Sequence, residues 1–275
     1  MRPRKYLINT LVGAAAVLAA GVHFIPGADK PGPIMTAAKA IMSGRVDSAS
    51  GSVVATSAVA DKGGIGAEVK EAVAAFSSVV QPLSRPEALD DAFRSYFAFK
   101  AAHPDEVKKP YLYFVDYGQP GTAKRGYVFD MASLTLVDGP FTVAHGKSSS
   151  TTKYGIPTHF SNASGSNATS LGLYVTGSTY AFHGHSGGHG YSSIGLVLNG
   201  VSKGFNDNAA RRRVVAHGAP YVTPTRAGRS EGCPAMEPDR AQRLLPKLAD
   251  GAIVFLFAPN SQWLAGDPWL SATNG

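Results

Sequence analysis

Beyond residue 110 the chain alternates short runs of β-branched, aromatic and aliphatic side chains with turns rich in Gly, Pro, Asn and Asp. The runs are YLYFVDY (111–117), GYVFDM (126–131), LTLV (134–137), FTVAHG (141–146), LGLYVTG (171–177), IGLVLNG (194–200), RVVAHG (213–218) and AIVFLF (252–257). Segments of this kind at irregular spacing predict a mainly β fold, with a largely antiparallel sheet system forming a sandwich or an open barrel. Upstream, the period changes. Residues 67–81, AEVKEAVAAFSSVVQ, carry apolar side chains at helical spacing, and Ser84-Arg85-Pro86-Glu87 has the form of a capping box opening a second helix over 89–102. There Leu89, Phe93 and Phe97, with Tyr96, make an apolar stripe for core packing, and His103-Pro104 ends the helix. A further helix is predicted over 238–249, started by Pro238 and stopped by Gly251, with a kink or early break at Pro246.

Two stretches follow neither period. Residues 6–25, YLINTLVGAAAVLAAGVHFI, are predominantly apolar, follow the basic segment Met1–Lys5 and contain the small residues Ala19-Ala20-Gly21. This is the pattern of a secretory signal cleaved near Gly21, or, since the span approaches the roughly twenty residues that cross a bilayer, of an uncleaved anchor. Either way the remainder lies outside the cytoplasm, in the periplasm or cell envelope. Residues 26–66 are rich in Ala, Ser, Gly and Pro and read as a flexible linker. The expected organisation is a signal or anchor at 1–25, a linker at 26–66, a helical segment at 67–105 packing on a β domain at 106–260, and a tail at 261–275.

Composition narrows the function classes. A 275-residue chain that is 44% hydrophobic and 16% charged buries a substantial core and is not a disordered protein. Its net charge of +7 favours anionic surroundings. The densest basic cluster, Arg211-Arg212-Arg213, is short and not interleaved with aromatics, so no nucleic-acid partner is assigned. A single cysteine excludes an internal disulfide.

That cysteine, Cys233, lies in VVAHGAPYVTPTRAGRSEGCPAM (214–236), at the opposite end of one loop from His217. Attack on an acyl carbon needs a thiolate, a base to generate it and N–H donors for the oxyanion. His217 is the candidate base, oriented by a backbone carbonyl. The N–H groups of Cys233 and Gly232 are the candidate donors, since Pro234 has none. The alternative is a buried, inert thiol beside a surface histidine. His183, His185 and His189, with His217, have the residue types of a metal site, but FHGHSGGHGYSS is so rich in Gly and Ser that it reads as a flexible loop with incidental histidines. No metal and no cofactor is assigned, and His145-Gly146-Lys147 reads as a turn.

His217-Gly218 and, after a loop, Ser230-Glu231-Gly232-Cys233 resemble the signature of the L,D-transpeptidase (YkuD-type) catalytic domain, murein subfamily. The helix and final strand after the thiol, FSNASGSNATSLGLYVTG (160–177) and GFNDNAARRRVVAHGAPYV (204–222) extend the likeness over roughly 84–260. Glu231 stands where the family often has His, and Pro234 where many members have an aliphatic residue. The resemblance implies catalytic roles for Cys233, His217, Gly232 and Gly218. It also puts Ser230, Arg229, His183, His189 and Tyr221 against substrate, and the histidine-rich segment over the cleft as a flap or wall. The implied activity is that of a cysteine acyltransferase on peptidoglycan stem tetrapeptides, working as a monomer that meets the membrane only through its N-terminus. Hydrolysis of the same thioester, or a non-catalytic wall-binding role, are the alternatives.

Overall fold

The computed structural model describes residues 62–271; the expected signal or anchor, nearly all of the linker and the last four residues lie outside that range. Two helices come first, α1 (Lys62–Phe76) and α2 (Ala88–Ala102). α1 begins inside the stretch assigned to the linker and stops before residue 81. On α2, Leu89, Ala92, Phe93, Tyr96 and Phe97 recur at helical spacing and are buried. Rings of Phe76, Phe93 and Phe129 join the helices to the sheet with centroids 4.5–5.5 Å apart. The expected capping box does not form. Ser84 instead donates from its Oγ and its N–H to the two carboxylate oxygens of Asp116, at 2.6 and 2.7 Å. Asp116 is fully buried, and a carboxylate taken out of water needs those donors more than an exposed helix end does.

The strands follow as β1 (Tyr111–Asp116), β2 (Gly126–Asp130), β3 (Thr135–Phe141), β4 (His145–Gly146), β5 (Gly172–Ser186), β6 (His189–Gly200), β7 (Val215–Gly218), β8 (Val222–Thr223), β9 (Arg226–Ala227), β10 (Arg229–Ser230) and β11 (Ala235–Met236). After them come α3 (Pro238–Leu248), β12 (Ile253–Phe257), α4 (Ser261–Gly266) and α5 (Pro268–Ser271). Eight strands form one mixed sheet in the order β11-β7-β6-β5-β12-β1-β2-β3, with β1/β12 and β7/β11 parallel and the other pairs antiparallel. β12 reads IVFLF with every residue buried, the pattern of a strand covered on both faces. α2 packs on β1 and β12, and α3 on β5, β6 and β7.

α3 runs through Pro246 without the expected break. Pro246 sits in the last turn, where only one intrahelical bond is lost, and the buried Ala241, Leu244, Leu245 and Leu248 hold that face to the core. Through residue 271 the stretch expected as a tail is docked: Trp263 is buried and its indole N–H donates to Asp267 at 2.7 Å. No helix among the described residues is long and apolar enough to cross a membrane.

The largest departure from the sequence reading is the histidine-rich segment, which is a β-hairpin. β5 and β6 stay paired from Tyr174↔Gly200 to Ser186↔His189. Gly187 and Gly188, at φ 59° and 83°, supply the two-residue turn whose central positions both need positive φ. One extra residue on β5 between Thr176 and Thr179 makes a bulge, which bends the ribbon. β5 is buried over 172–176 and β6 at Gly195, Leu196 and Leu198, whereas toward the turn both strands are half-buried or exposed, so the hairpin projects from the sheet as a flap.

Candidate active site

Parallel pairing of β7 with β11 sets Ala235 opposite His217, and the His217 N–H donates to the Pro234 carbonyl at 3.4 Å. The turn carrying Cys233 is thereby tied by backbone to the strand carrying the histidine. That turn requires its glycine: Gly232 has φ +124°, and a Cβ there would lie 2.9 Å from the Ala168 carbonyl oxygen. Ser230 braces it from inside, its Oγ donating to the Cys233 carbonyl at 2.7 Å and accepting from the Gly232 N–H at 3.1 Å. The Gly232 N–H, expected as an oxyanion donor, is therefore engaged within the turn. The Cys233 N–H has no hydrogen-bond partner among the described residues.

The His217 ring is buried, with Nδ1 3.0 Å from the Gly218 carbonyl oxygen. A carbonyl only accepts, so Nδ1 carries the proton and Nε2 is the free acceptor. Burial pushes the ring's pKa down to about 4, against the upward pull of the Gly218 carbonyl. Phe182 of the flap stacks on it with centroids 4.2 Å apart and planes 21° from parallel. Burial pushes the Cys233 thiol up, a shift opposed by the Val215 N–H and by Arg212. The resting pair at neutral pH is thus a thiol and a neutral imidazole. The thiol contacts the Val215 N–H (3.5 Å) and the Arg213 carbonyl (3.9 Å) rather than the His217 ring. Arg213 itself holds a positive φ of 56°, a strained turn that aims its carbonyl at the sulfur.

Around this pair lies a cleft of about 660 Å³. It gathers Cys233, His217, Tyr221, Ser230, Arg229 and His183 from the residues singled out in sequence. It does not include His189, which sits at the flap tip, nor Gly218, whose carbonyl meets the His217 ring, nor Gly232, whose positive φ shapes the cysteine turn. Among the described residues no three His, Cys, Asp or Glu side chains are grouped to hold a metal ion. His145 is not in the cleft; it is buried on β4, its Nδ1 2.9 Å from the Arg125 guanidinium, and burial with that charge lowers its pKa to about 3.

Four cationic side chains, Lys147, Arg212, Arg213 and Arg229, and one carboxylate, Glu231, line the cleft. Lys147 pairs with Glu231 at 2.9 Å. Arg212 is bound only by neutral acceptors: the carbonyls of Ser161 and Ala168, each at 2.7 Å, and the hydroxyls of Ser166 and Ser170, each at 3.1 Å. Its charge is left uncompensated beside the thiol. Sequence reasoning passed over Arg212 because a short run of arginines resembles a solvated surface patch. It passed over Phe182 and Tyr191 because nothing local distinguishes an aromatic in a Gly/Ser-rich segment.

A family profile described as the L,D-transpeptidase catalytic domain matches residues 81–257. No curated protein matches the chain. Among solved structures, an L,D-transpeptidase from Mycobacterium smegmatis is 16% identical, with 54% of this chain and 59% of that one aligned at a TM-score of 0.32. One from Stackebrandtia nassauensis is 16% identical over 70% and 77% of the two chains, with a TM-score of 0.34. L,D-transpeptidase 3 from Mycobacterium tuberculosis is 13% identical over 54% and 61%, with a TM-score of 0.28. This chain spans less than two thirds of the Mycobacterium smegmatis chain. With the profile covering well over half of its length, the chain belongs to the L,D-transpeptidase catalytic domain family.

Proposed function

We propose that this protein is an exported cysteine acyltransferase that cross-links peptidoglycan stem peptides. The observation that carries the reading is that the Cys233 thiol and the His217 ring line one cationic cleft, the ring with its proton fixed on Nδ1 and its Nε2 free. On this reading a stem tetrapeptide binds with the carbonyl of its third residue at Sγ. His217 Nε2 takes the thiol proton as Sγ adds to the carbonyl carbon, and the Cys233 N–H receives the developing oxyanion. Collapse breaks the amide to the terminal D-Ala, whose amine leaves with the proton from His217, and the tripeptide stays as a thioester on Cys233. The side-chain amine of a neighbouring stem then attacks, giving a 3–3 cross-link and restoring the thiol. The cationic lining supports a carboxylate-bearing donor; Arg229 is the side chain proposed to meet it, while Arg212, whose terminal N–H groups are all engaged, contributes its charge from a distance.

The test incubates the purified full chain with disaccharide-tetrapeptide and follows products by mass spectrometry. D-Ala release together with a 3–3 dimer, both lost in Cys233→Ala and His217→Ala, is the expected result. Tripeptide without dimer would replace transfer by hydrolysis, and no Cys233-dependent change would leave a non-catalytic wall-binding protein.

A further inference from the structure

A second cavity, of about 260 Å³, shares no lining residue with the thiol cleft and differs from it in chemistry. Its walls include the rings of Phe160, Phe205 and Trp263 and the carboxamides of Asn162, Asn260 and Gln262, and no charged side chain lines it. A carboxylate or phosphate would find no countercharge there. Aromatic faces beside neutral amides suit instead a ring that has C–H faces and a rim of hydroxyl and amide groups. The Asn162 carboxamide is committed to Asp207 and to the Asn208 N–H, but two polar groups are available: Gln262 is exposed with no hydrogen bond to the described residues, and Asn260 uses its oxygen on the Trp263 N–H (2.9 Å), leaving its amide hydrogens free. Trp263 is buried and held by Asp267, so it backs the cavity rigidly, and the half-buried rings of Phe160 and Phe205 are the faces a ligand would meet.

The two cavities share a loop. Phe160 and Asn162 border the second, while Gly165 and Asn167 border the thiol cleft. Arg212, in the thiol cleft, donates to the Ser161 carbonyl in the wall of the other at 2.7 Å. One polymer with an anionic peptide part and a neutral sugar part would therefore meet matching surfaces on either side of the 160–167 loop.

We propose that this second cavity is a subsite for a neutral, N-acetylated saccharide ring, holding the glycan of the substrate while its peptide enters the thiol cleft. This rests on the peptidoglycan reading above. Isothermal titration of the full chain with triacetylchitotriose tests it: saturable binding is expected, weakened about tenfold or more in Phe205→Ala and in Gln262→Ala. Gln262 is exposed, so its variant keeps the fold and remains decisive if Phe205→Ala is unstable. Absence of saturable binding, or an affinity unmoved by Gln262→Ala, would overturn the proposal. Equal binding of cellotriose, which lacks the acetamido group, would overturn the N-acetyl specificity. The probe carries no peptide and is not turned over. Failure here therefore leaves the acyl-transfer reading untouched, and failure of the tetrapeptide assay leaves a measured sugar site standing.

Discussion

The centre of the sheet and its nucleophile edge are held by different forces. At the centre, β1, β12 and β5 set Phe114, Phe255, Phe257 and Leu173 side by side, all fully buried. Burial of each such side chain contributes about 1.5–3 kcal/mol. At the edge, β7 and β11 are four and two residues long, the two-residue β10 that leads into the cysteine turn pairs only with β4, and the local core is Ala144, Ala219, Val222, Ala227 and Ala235. Small side chains bury little area, so geometry there depends on directional bonds: Ser230 to the Cys233 carbonyl, Arg212 to the 161 and 168 carbonyls, His217 to Gly218. The apolar slab supplies stability at a distance, and the edge uses it to hold polar groups in places they would not hold alone.

Substitutions should separate the two regions. The largest effect is expected at the centre: Phe255→Ala should cost about 3–5 kcal/mol, read from the midpoint of urea unfolding. A cost below about 1 kcal/mol would mean the central strands are not the stabilising slab described. At the edge, Gly232→Val forces a β-branched residue into positive φ against the Ala168 carbonyl and displaces the Cys233 N–H. Thioester formation, followed by mass spectrometry, should slow by about a hundredfold. An unchanged rate in a folded variant would remove the turn from the mechanism.

The smallest effect joins the two regions through the flap. Phe182→Ala uncovers the His217 ring, and rehydration favours its charged form, so its pKa should rise from about 4 toward the ordinary 6.5. The base must be neutral to act. The acidic limb of the acylation rate should therefore shift to higher pH, with the variant slowed at pH 5 and converging on the parent above pH 7. A limb that stays in place would show that sheet burial alone, without the flap, sets the pKa.

Much of this was legible in the sequence where side chains alone decide the outcome. Apolar runs marked β1, β2 and β12 and the sheet-side ends of β5 and β6, and the one cysteine with its upstream histidine marked two residues that line the cleft. What escaped depends on partners far away in the chain. The outer flap has few apolar side chains, yet cross-strand backbone pairing and a Gly187-Gly188 turn make it a ribbon. Ser84 has the right neighbours to cap a helix, but Asp116, thirty-two residues on, takes it instead. Arg212 belongs to the cleft only because the 161–170 loop folds over its guanidinium.

The neutral resting pair also bears on the survival of the nucleophile. Peroxides and disulfides react with thiolates, and the desolvated setting of the half-buried Cys233 thiol favours its protonated form. With no second cysteine to form an internal disulfide, an oxidised Cys233 would have no resolving partner in its own chain. On the acyl-transfer reading, the setting that makes the thiol depend on a base such as His217 is the same one that keeps the unliganded sulfur chemically quiet.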